Sequence, residues 1–268
     1  MASVRKDLEA RKEAVSFADL ERRAGRMGAA RNIVVRPGDR PGIIAEIKRA
    51  SPSKGWIRQE LDAARYARTY EEAGARAVSV LTERRFFGGS LSDLEAARSA
   101  TGESPILRKD FLLDEYMLVE SRAHGADLVL LIAAVLGKET GSMVRRAAEY
   151  GLATLVEVHD ESELAIAVEA GAGIIGVNNR DLVTFRVDLR TSERLLPRIP
   201  AGVVKVVESG IRSSSDLRRL AGLGADLFLV GETLVRSGDP ARTIHELLHF
   251  ETPIDRTKEG EEWKRRSS

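Results

Sequence analysis

The stretch IIAEIKRASPSKG, Ile43 to Gly55, decides how the rest of the chain is read. Ile43 to Ile47 are mostly apolar and rich in β-branched side chains. With Pro41-Gly42 in front and a Ser-Pro turn behind, they predict a short buried strand. Yet Glu46 and Lys48 stand at its end. Residues two apart share one face of a strand, so both charges point the same way. A solvated strand end with a structural ion pair would look the same. Recurrence downstream is what favours a site.

From Ile43 onward the chain alternates between apolar runs and amphipathic segments. Strands are predicted at Ile43–Ile47, Ala77–Leu81, Ile106–Arg108, Leu128–Ile132, Thr154–Val158, Ile174–Val177, Val203–Val207 and Leu227–Val230. Helices are predicted at Asp62–Glu72, Leu91–Ala100, Glu115–Ala123, Glu139–Tyr150, Glu161–Glu169, Ser192–Leu196, Ser214–Leu220 and Ala241–Leu248. Eight strand–helix units in this rhythm predict an α/β fold, a (β/α)8 TIM barrel. A doubly wound open sheet is the competitor, but the turn after the first strand, KRASPSKG, is no glycine-rich dinucleotide fingerprint. A repeat supports closure. Gly74-Ala75-Arg76, Gly125-Ala126-Asp127, Gly171-Ala172-Gly173 and Gly224-Ala225-Asp226 each end a helix and open an even-numbered strand. The repeat speaks for the barrel and says nothing of function, since αβ loops favour glycine anyway.

The odd strands carry the chemistry. They end in Glu46 and Lys48, in Lys109 (ILRKDF), in Glu157 (LVEVHD) and in Glu208 (VVESG). Inward side chains of such a barrel stack in layers of four drawn from alternate strands, and active sites lie at the C-terminal mouth. Lysines and glutamates on alternate strands therefore predict one charged layer there. Leu107 and Lys109 should face inward and Arg108 the helices. Lysine serves as a general acid when burial or a second cation lowers its pKa. The glutamates can take protons or hold hydroxyls. Mixed signs keep the cluster near neutral.

Ser209-Gly210 after strand seven and Gly231 after strand eight, just ahead of a short helical run from Glu232 to Val235, suggest a phosphate site. Two ordinary βα turns are the plainer reading. Glu232 fits awkwardly, because its carboxylate must turn away from the anion. After strand six, Asn178 can bond a hydroxyl and Arg180 can pair with a carboxylate, beside Asn179. Ser51 to Lys54 form a loop free to close over the mouth. Phe86, Phe87 and Phe111 are candidate apolar walls, though core packing is the commoner fate of phenylalanine.

The chain has 268 residues, 29.3 kDa and a formal net charge of +1, with no cysteine. Near-neutral charge gives no general pull toward nucleic acid or anionic membrane. Absence of cysteine excludes disulfides and thiolate metal ligands. No apolar signal core opens the chain, and LVLLIAAVL (Leu128 to Leu136) is too short to span a bilayer. The expectation is a cytoplasmic protein, a monomer or weak homo-oligomer. Residues 1–40 read as a helical extension packed on the barrel, with Val4 and Leu8 on one face and Ser16 before Asp19 as an N-cap. Residues 41–250 read as the barrel and 251–268 as a polar, disordered tail. His245-Glu246-Leu247-Leu248-His249 matches a zinc-protease helix. Ile244, Leu247 and Leu248 should instead dock that helix on the barrel, and no third ligand follows. His124 and His159 complete the histidines, with His159 near the mouth as a reserve candidate.

Together IIAEIKRASPSKG, SVLTERRFFGGSLSDL, ILRKDFLLDEY, GADLVLLIAAVL, LVEVHD, IIGVNNRDL, VVKVVESGI and FLVGETLV resemble the indole-3-glycerol phosphate synthase family of tryptophan biosynthesis. The resemblance runs over Ile43 to Leu248 and more loosely the N-terminal helix. It implies the substrate 1-(2-carboxyphenylamino)-1-deoxyribulose 5-phosphate, the products indole-3-glycerol phosphate, carbon dioxide and water, and no cofactor or metal. By position it implies Lys109 as general acid and Glu157 as acid/base partner in the later step. Lys48 and Glu46 would orient the substrate. Asn178, Arg180, Glu208 and Ser209 would support, and Gly210 and Gly231 would serve the phosphate. Ser51, Phe87, Phe111 and Glu232 complete the expected binding set. Another phosphate-binding barrel, such as a sugar-phosphate isomerase, would share the glycine loops but need fewer lysines. A non-catalytic barrel would tolerate loss of the charged tips.

Overall fold

The computed structural model describes residues 2–36 and 38–249; the tail expected at 251–268 lies outside them. Eight parallel strands form a closed barrel. They are β1 Gly42–Ile47, β2 Ala77–Leu81, β3 Ile106–Lys109, β4 Leu128–Ile132, β5 Ala153–Val158, β6 Ile174–Asn178, β7 Val204–Glu208 and β8 Leu227–Val230. Pairing of β8 with β1, Phe228 opposite Ile43, closes the ring. The periodicity located every strand to within a residue. The additions at strand ends matter, because Lys109, Asn178 and Glu208 belong to their strands and are held by the ladder.

Two apolar cores follow from strand alternation. Outward residues such as Ile43, Val78, Val129 and Phe228 pack under the helices. Inward residues fill the barrel, among them Ile44, Leu107, Leu155 and Val206. Each of these four lies two residues before Glu46, Lys109, Glu157 or Glu208. An apolar layer thus forms the floor on which the charged layer rests.

The glycines opening the four repeat units all have left-handed backbone, with φ between 71° and 93°. Two of the repeat's aspartates do further work. Asp127 accepts the backbone N–H of Ile106, and Asp226 that of Lys205, so each stitches the neighbouring odd strand to an even one. Three pieces escape simple periodicity. The 50s loop is a small antiparallel hairpin, Ala50–Ser51 against Gly55–Trp56. Arg84–Phe87 is one helical turn capped by Glu83, whose carboxylate accepts three backbone N–H groups. The apolar run Leu128 to Leu136 splits into β4 and a short helix, Ala133–Leu136.

Ahead of the barrel come α1 (Ala2–Ala14) and α2 (Phe17–Ala24). Val4, Leu8 and Leu20 are buried, and Ser16 accepts the N–H of Asp19 as an N-cap. Contacts of α1 reach the loops at the mouth. Arg85 binds Asp7, Lys12 pairs with Asp114 at 2.6 Å, and the Tyr116 hydroxyl donates to the carbonyls of Arg11 and Val15. In the helix Pro240–Leu248, Ile244 and Leu247 are buried, and His249 lies beyond its end. The two histidines of the zinc-like motif are therefore not presented on one helical face.

Candidate active site

Lys109 projects into the mouth of the barrel from β3. Its Nζ lies 2.9 Å from Glu208 Oε2, 3.6 Å from Glu157 Oε2 and 3.9 Å from Glu46 Oε2. Lys48 Nζ holds the other oxygen of Glu46 at 2.5 Å. Five charges from four alternate strand ends thus form one cluster, as the pattern predicts.

The electrostatics overturn one expectation. Burial lowers the Lys109 pKa, but Glu208, Glu157 and Glu46 outweigh it and raise it above the ordinary lysine value. The protein instead holds Lys109 firmly charged. Burial and the neighbouring carboxylates push Glu208 up to about 7, despite the pull of Lys109. Burial also opposes ionisation of Glu46, yet Lys48 and Lys109 hold it below the usual carboxylate range. Within the cluster, Glu208 is the carboxyl group whose ionisation is pushed toward neutral pH.

Space for the carboxylates comes from the even strands. A Cβ on Gly176 of β6 would meet Glu208 Oε1 at 2.2 Å, and one on Gly231 would meet Glu46 Oε1 at 2.3 Å. Glycine within a strand marks close approach of another group; here that group is a carboxylate of the charged layer. Gly231 was read for its place beside an anion. Its small size is first required by Glu46.

Above the cluster opens a cavity of about 1010 Å³. Every expected site residue lines it except Glu208, which lies fully buried beneath Lys109. One side is apolar, formed by Phe86, Phe87, Phe111, Leu130 and Ile132. Phe111 also packs on the barrel's inner core. The opposite side carries Ser209, Gly210, Gly231, Glu232, Arg212 and Arg236. Glu232 turns along its helix to Arg236, at 3.0 Å, which resolves its awkward place in the first turn. Asn178 accepts the N–H of Arg180. Arg180 donates to Ser53 at 3.1 Å and to the Phe185 carbonyl. The loop expected to move freely is thus a hairpin latched across the mouth to the loop after β6.

Several contributors were not singled out in sequence. Arg212 and Arg236 follow the two glycine loops and supply its positive charge. Gly176 was visible as a glycine inside an apolar strand. Phe185 and Ser209 are the non-glycine residues with left-handed backbone among those described, at φ 58° and 63°, and both line the cavity. Such conformations cost about 1–3 kcal/mol and concentrate at functional sites; composition gives no sign of them.

Residues 1–247 match the family model for indole-3-glycerol phosphate synthase. The chain belongs to that family. It is 49% identical over 247 residues to the indole-3-glycerol phosphate synthase of a Parafrankia strain, covering 91% of this chain and 92% of the relative. It is 49% identical to indole-3-glycerol phosphate synthase 1 of Streptomyces coelicolor, covering 91% of each. Among solved structures, 3-hexulose-6-phosphate synthase superposes with a TM-score of 0.60 at 18% identity, over 77% of this chain and 98% of the other. A tryptophan synthase α-subunit from Pyrococcus furiosus gives 0.60 at 15%, over 78% and 98%. Those two likenesses show the barrel fold. The family makes this enzyme a lyase of tryptophan biosynthesis that closes a ring with decarboxylation. Among the described residues, no helix is long and apolar enough to cross a membrane.

Proposed function

We propose that the barrel mouth folds 1-(2-carboxyphenylamino)-1-deoxyribulose 5-phosphate so that its aromatic ring meets its own ketone, with Lys109 as the general acid. The observation that carries this is Lys109 itself, a charged ammonium held by three carboxylates at the floor of a cavity with one apolar and one basic side. The flat aromatic end lies between the phenylalanines. The phosphate lies by Ser209, Gly210 and Gly231, where the N–H groups of a helix's first turn lack intrahelical acceptors and Arg212 and Arg236 supply charge.

Ring closure brings the carboxylate-bearing ring carbon onto the ketone carbon, and Lys109 Nζ hands a proton to the oxygen as it becomes an alkoxide. Loss of carbon dioxide returns its bonding pair to the ring and restores aromaticity. Dehydration then needs a proton on the departing hydroxyl and a base for a proton of the adjacent carbon. Glu157, across the mouth from the phosphate-side loops, is that base. Two protons are delivered and one is taken, so each turnover consumes one proton, matching the carboxylate that leaves as neutral carbon dioxide. Glu208, 2.9 Å from Lys109 and with its pKa pushed up to about 7, is placed to restore the ammonium. Because Lys48 is already paired with Glu46, it does not grip the substrate carboxylate so tightly as to oppose its loss; the pair acts on substrate shape instead. Asn178, Arg180 and Ser51 hold the hydroxyl-bearing chain.

The test is incubation with the anthranilate–ribulose phosphate substrate while indole fluorescence is followed. A rise is expected, with release of carbon dioxide. Absence of an indole product from folded protein overturns the reading.

The Glu46–Lys48 contact makes a second result measurable. Alanine at either position should reduce kcat/KM, and the double variant should lose less than the summed losses, because neighbours in one ion pair couple by about 0.5–3 kcal/mol. Strict additivity in log kcat/KM would mean that the two work separately.

A further inference from the structure

Glu157 has a second cation candidate besides Lys109. His159 stands just after β5, and its backbone N–H and ring Nδ1 both meet Glu163 Oε2, at 2.8 and 2.9 Å. Glu163 sits in the first turn of the helix Glu161–Glu169, which Asp160 caps. A carboxylate only accepts hydrogen bonds, so Nδ1 bears a hydrogen. Nε2 is buried, has no hydrogen-bond partner, and lies 3.4 Å from Glu157 Oε1. The other oxygen of Glu157 is the one that faces Lys109, at 3.6 Å. A neutral ring with its hydrogen on Nδ1 would aim a lone pair at a carboxylate. An imidazolium instead sets a positive charge 3.4 Å from that carboxylate, an ion-pair contact.

We propose that His159, held by Glu163, is a positioning residue that as an imidazolium sets its charge against one oxygen of Glu157 and orients the carboxylate, leaving the other oxygen toward the reacting centre. This rests on the reading of Glu157 as the base of the dehydration.

The surroundings favour the charged ring. Burial works against it, but Glu163, Glu157 and Glu208 together raise the His159 pKa above its ordinary value. Asp160 lies next in the chain. From the loop after β6, Asp181, Asp188, Arg186 and Arg190 line a cavity of about 480 Å³ that His159 also lines. Asp188 and Arg190 of that loop neutralise each other at 2.6 Å. Carboxylates outnumber the remaining cations around the ring. His159 lines that cavity and not the main one above the charged cluster.

The sign of the pH dependence follows. A raised folded-state pKa means the cation is present at low pH and lost as pH rises through it. The parent enzyme's kcat should therefore fall on the alkaline side as His159 deprotonates. His159→Leu should lower kcat at least tenfold with KM within about threefold. His159→Gln, which keeps a donor without a titrating charge, should recover part of kcat and lose that alkaline limb. Glu163→Gln should move the limb to lower pH. Nitrogen-15 NMR of the parent's ring nitrogens should show His159 doubly protonated above the ordinary histidine pKa. A purely structural role would lower thermal stability in these variants and leave the pH profile unmoved.

The proposal is overturned if His159→Gln matches the parent in kcat and pH profile, or if the NMR titration finds the ring neutral at pH 6. If His159→Leu does not fold, the two glutamine variants and the NMR titration decide. A parent enzyme that makes no indole product would overturn the functional reading instead, while the NMR titration would still decide the charge of His159.

Discussion

Replacing Arg108 with methionine should destabilise the fold by about 3–5 kcal/mol, the usual result of removing one partner from a buried ion pair. Arg108 is fully buried on the outer face of β3. Its guanidinium donates to Thr82 Oγ1, Asp110 Oδ2, Glu120 Oε2, Ser121 Oγ and the Met117 carbonyl. Methionine fills the space but leaves Asp110 and Glu120 facing each other without it. Asp110 keeps the Thr82 hydroxyl, and Glu120 keeps Arg11 of α1 at 2.9 Å, so the structure should persist at room temperature. At roughly 2–4 °C per kcal/mol for a chain of this size, the melting midpoint should fall by roughly 6–20 °C. Arg108→Lys keeps charge without the planar fork and should recover only part. Urea and thermal unfolding check both. A loss below about 1 kcal/mol would mean that the carboxylates are absorbed by protonation or by solvent. Because Arg108 precedes Lys109 and ties the segment bearing Phe111, kcat should fall as well.

Arg108 also shows where sequence reading stops. Strand alternation assigns it to the helix layer, and the structure agrees. That one guanidinium joins β2, β3, the helix Glu115–Ala123 and, through Glu120, α1 depends on side chains distant in sequence, and no local pattern reports it. The charged layer was legible for the opposite reason. A period of two places Ile44 and Glu46, Leu107 and Lys109, Leu155 and Glu157, Val206 and Glu208 on one face each, and alternate-strand layering brings those faces together. Distance was legible; charge state was not. Whether Lys109 is acidified or held charged depends on which oxygens stand within 4 Å, and sequence spacing does not report that. The hairpin at Ala50–Trp56 and its latch from Ser53 to Arg180 escaped because they join loops from opposite sides of the mouth.

Lys109→Arg should lose most of kcat, about a hundredfold or more by the usual worth of general acid–base catalysis, while binding a reduced substrate analogue nearly as well as the parent. The raised pKa of Lys109 does not argue against proton donation. An alkoxide is far more basic than an amine, so the proton moves only as the carbon–carbon bond forms and charge builds on the oxygen. A lysine held charged by Glu208, Glu157 and Glu46 is thus loaded before the substrate arrives. Arginine retains the charge and can bridge the same carboxylates, but it releases its proton too reluctantly to serve. Lys109→Met removes charge as well and takes from Glu208, Glu157 and Glu46 the cation they share, so it should cost stability in addition to kcat. The arginine variant separates the two effects: a melting midpoint near the parent's with kcat lost marks proton transfer. If Lys109→Arg kept near-normal kcat, Lys109 would be a charge stabiliser only, and the proton would have to come from Lys48 or a bound water.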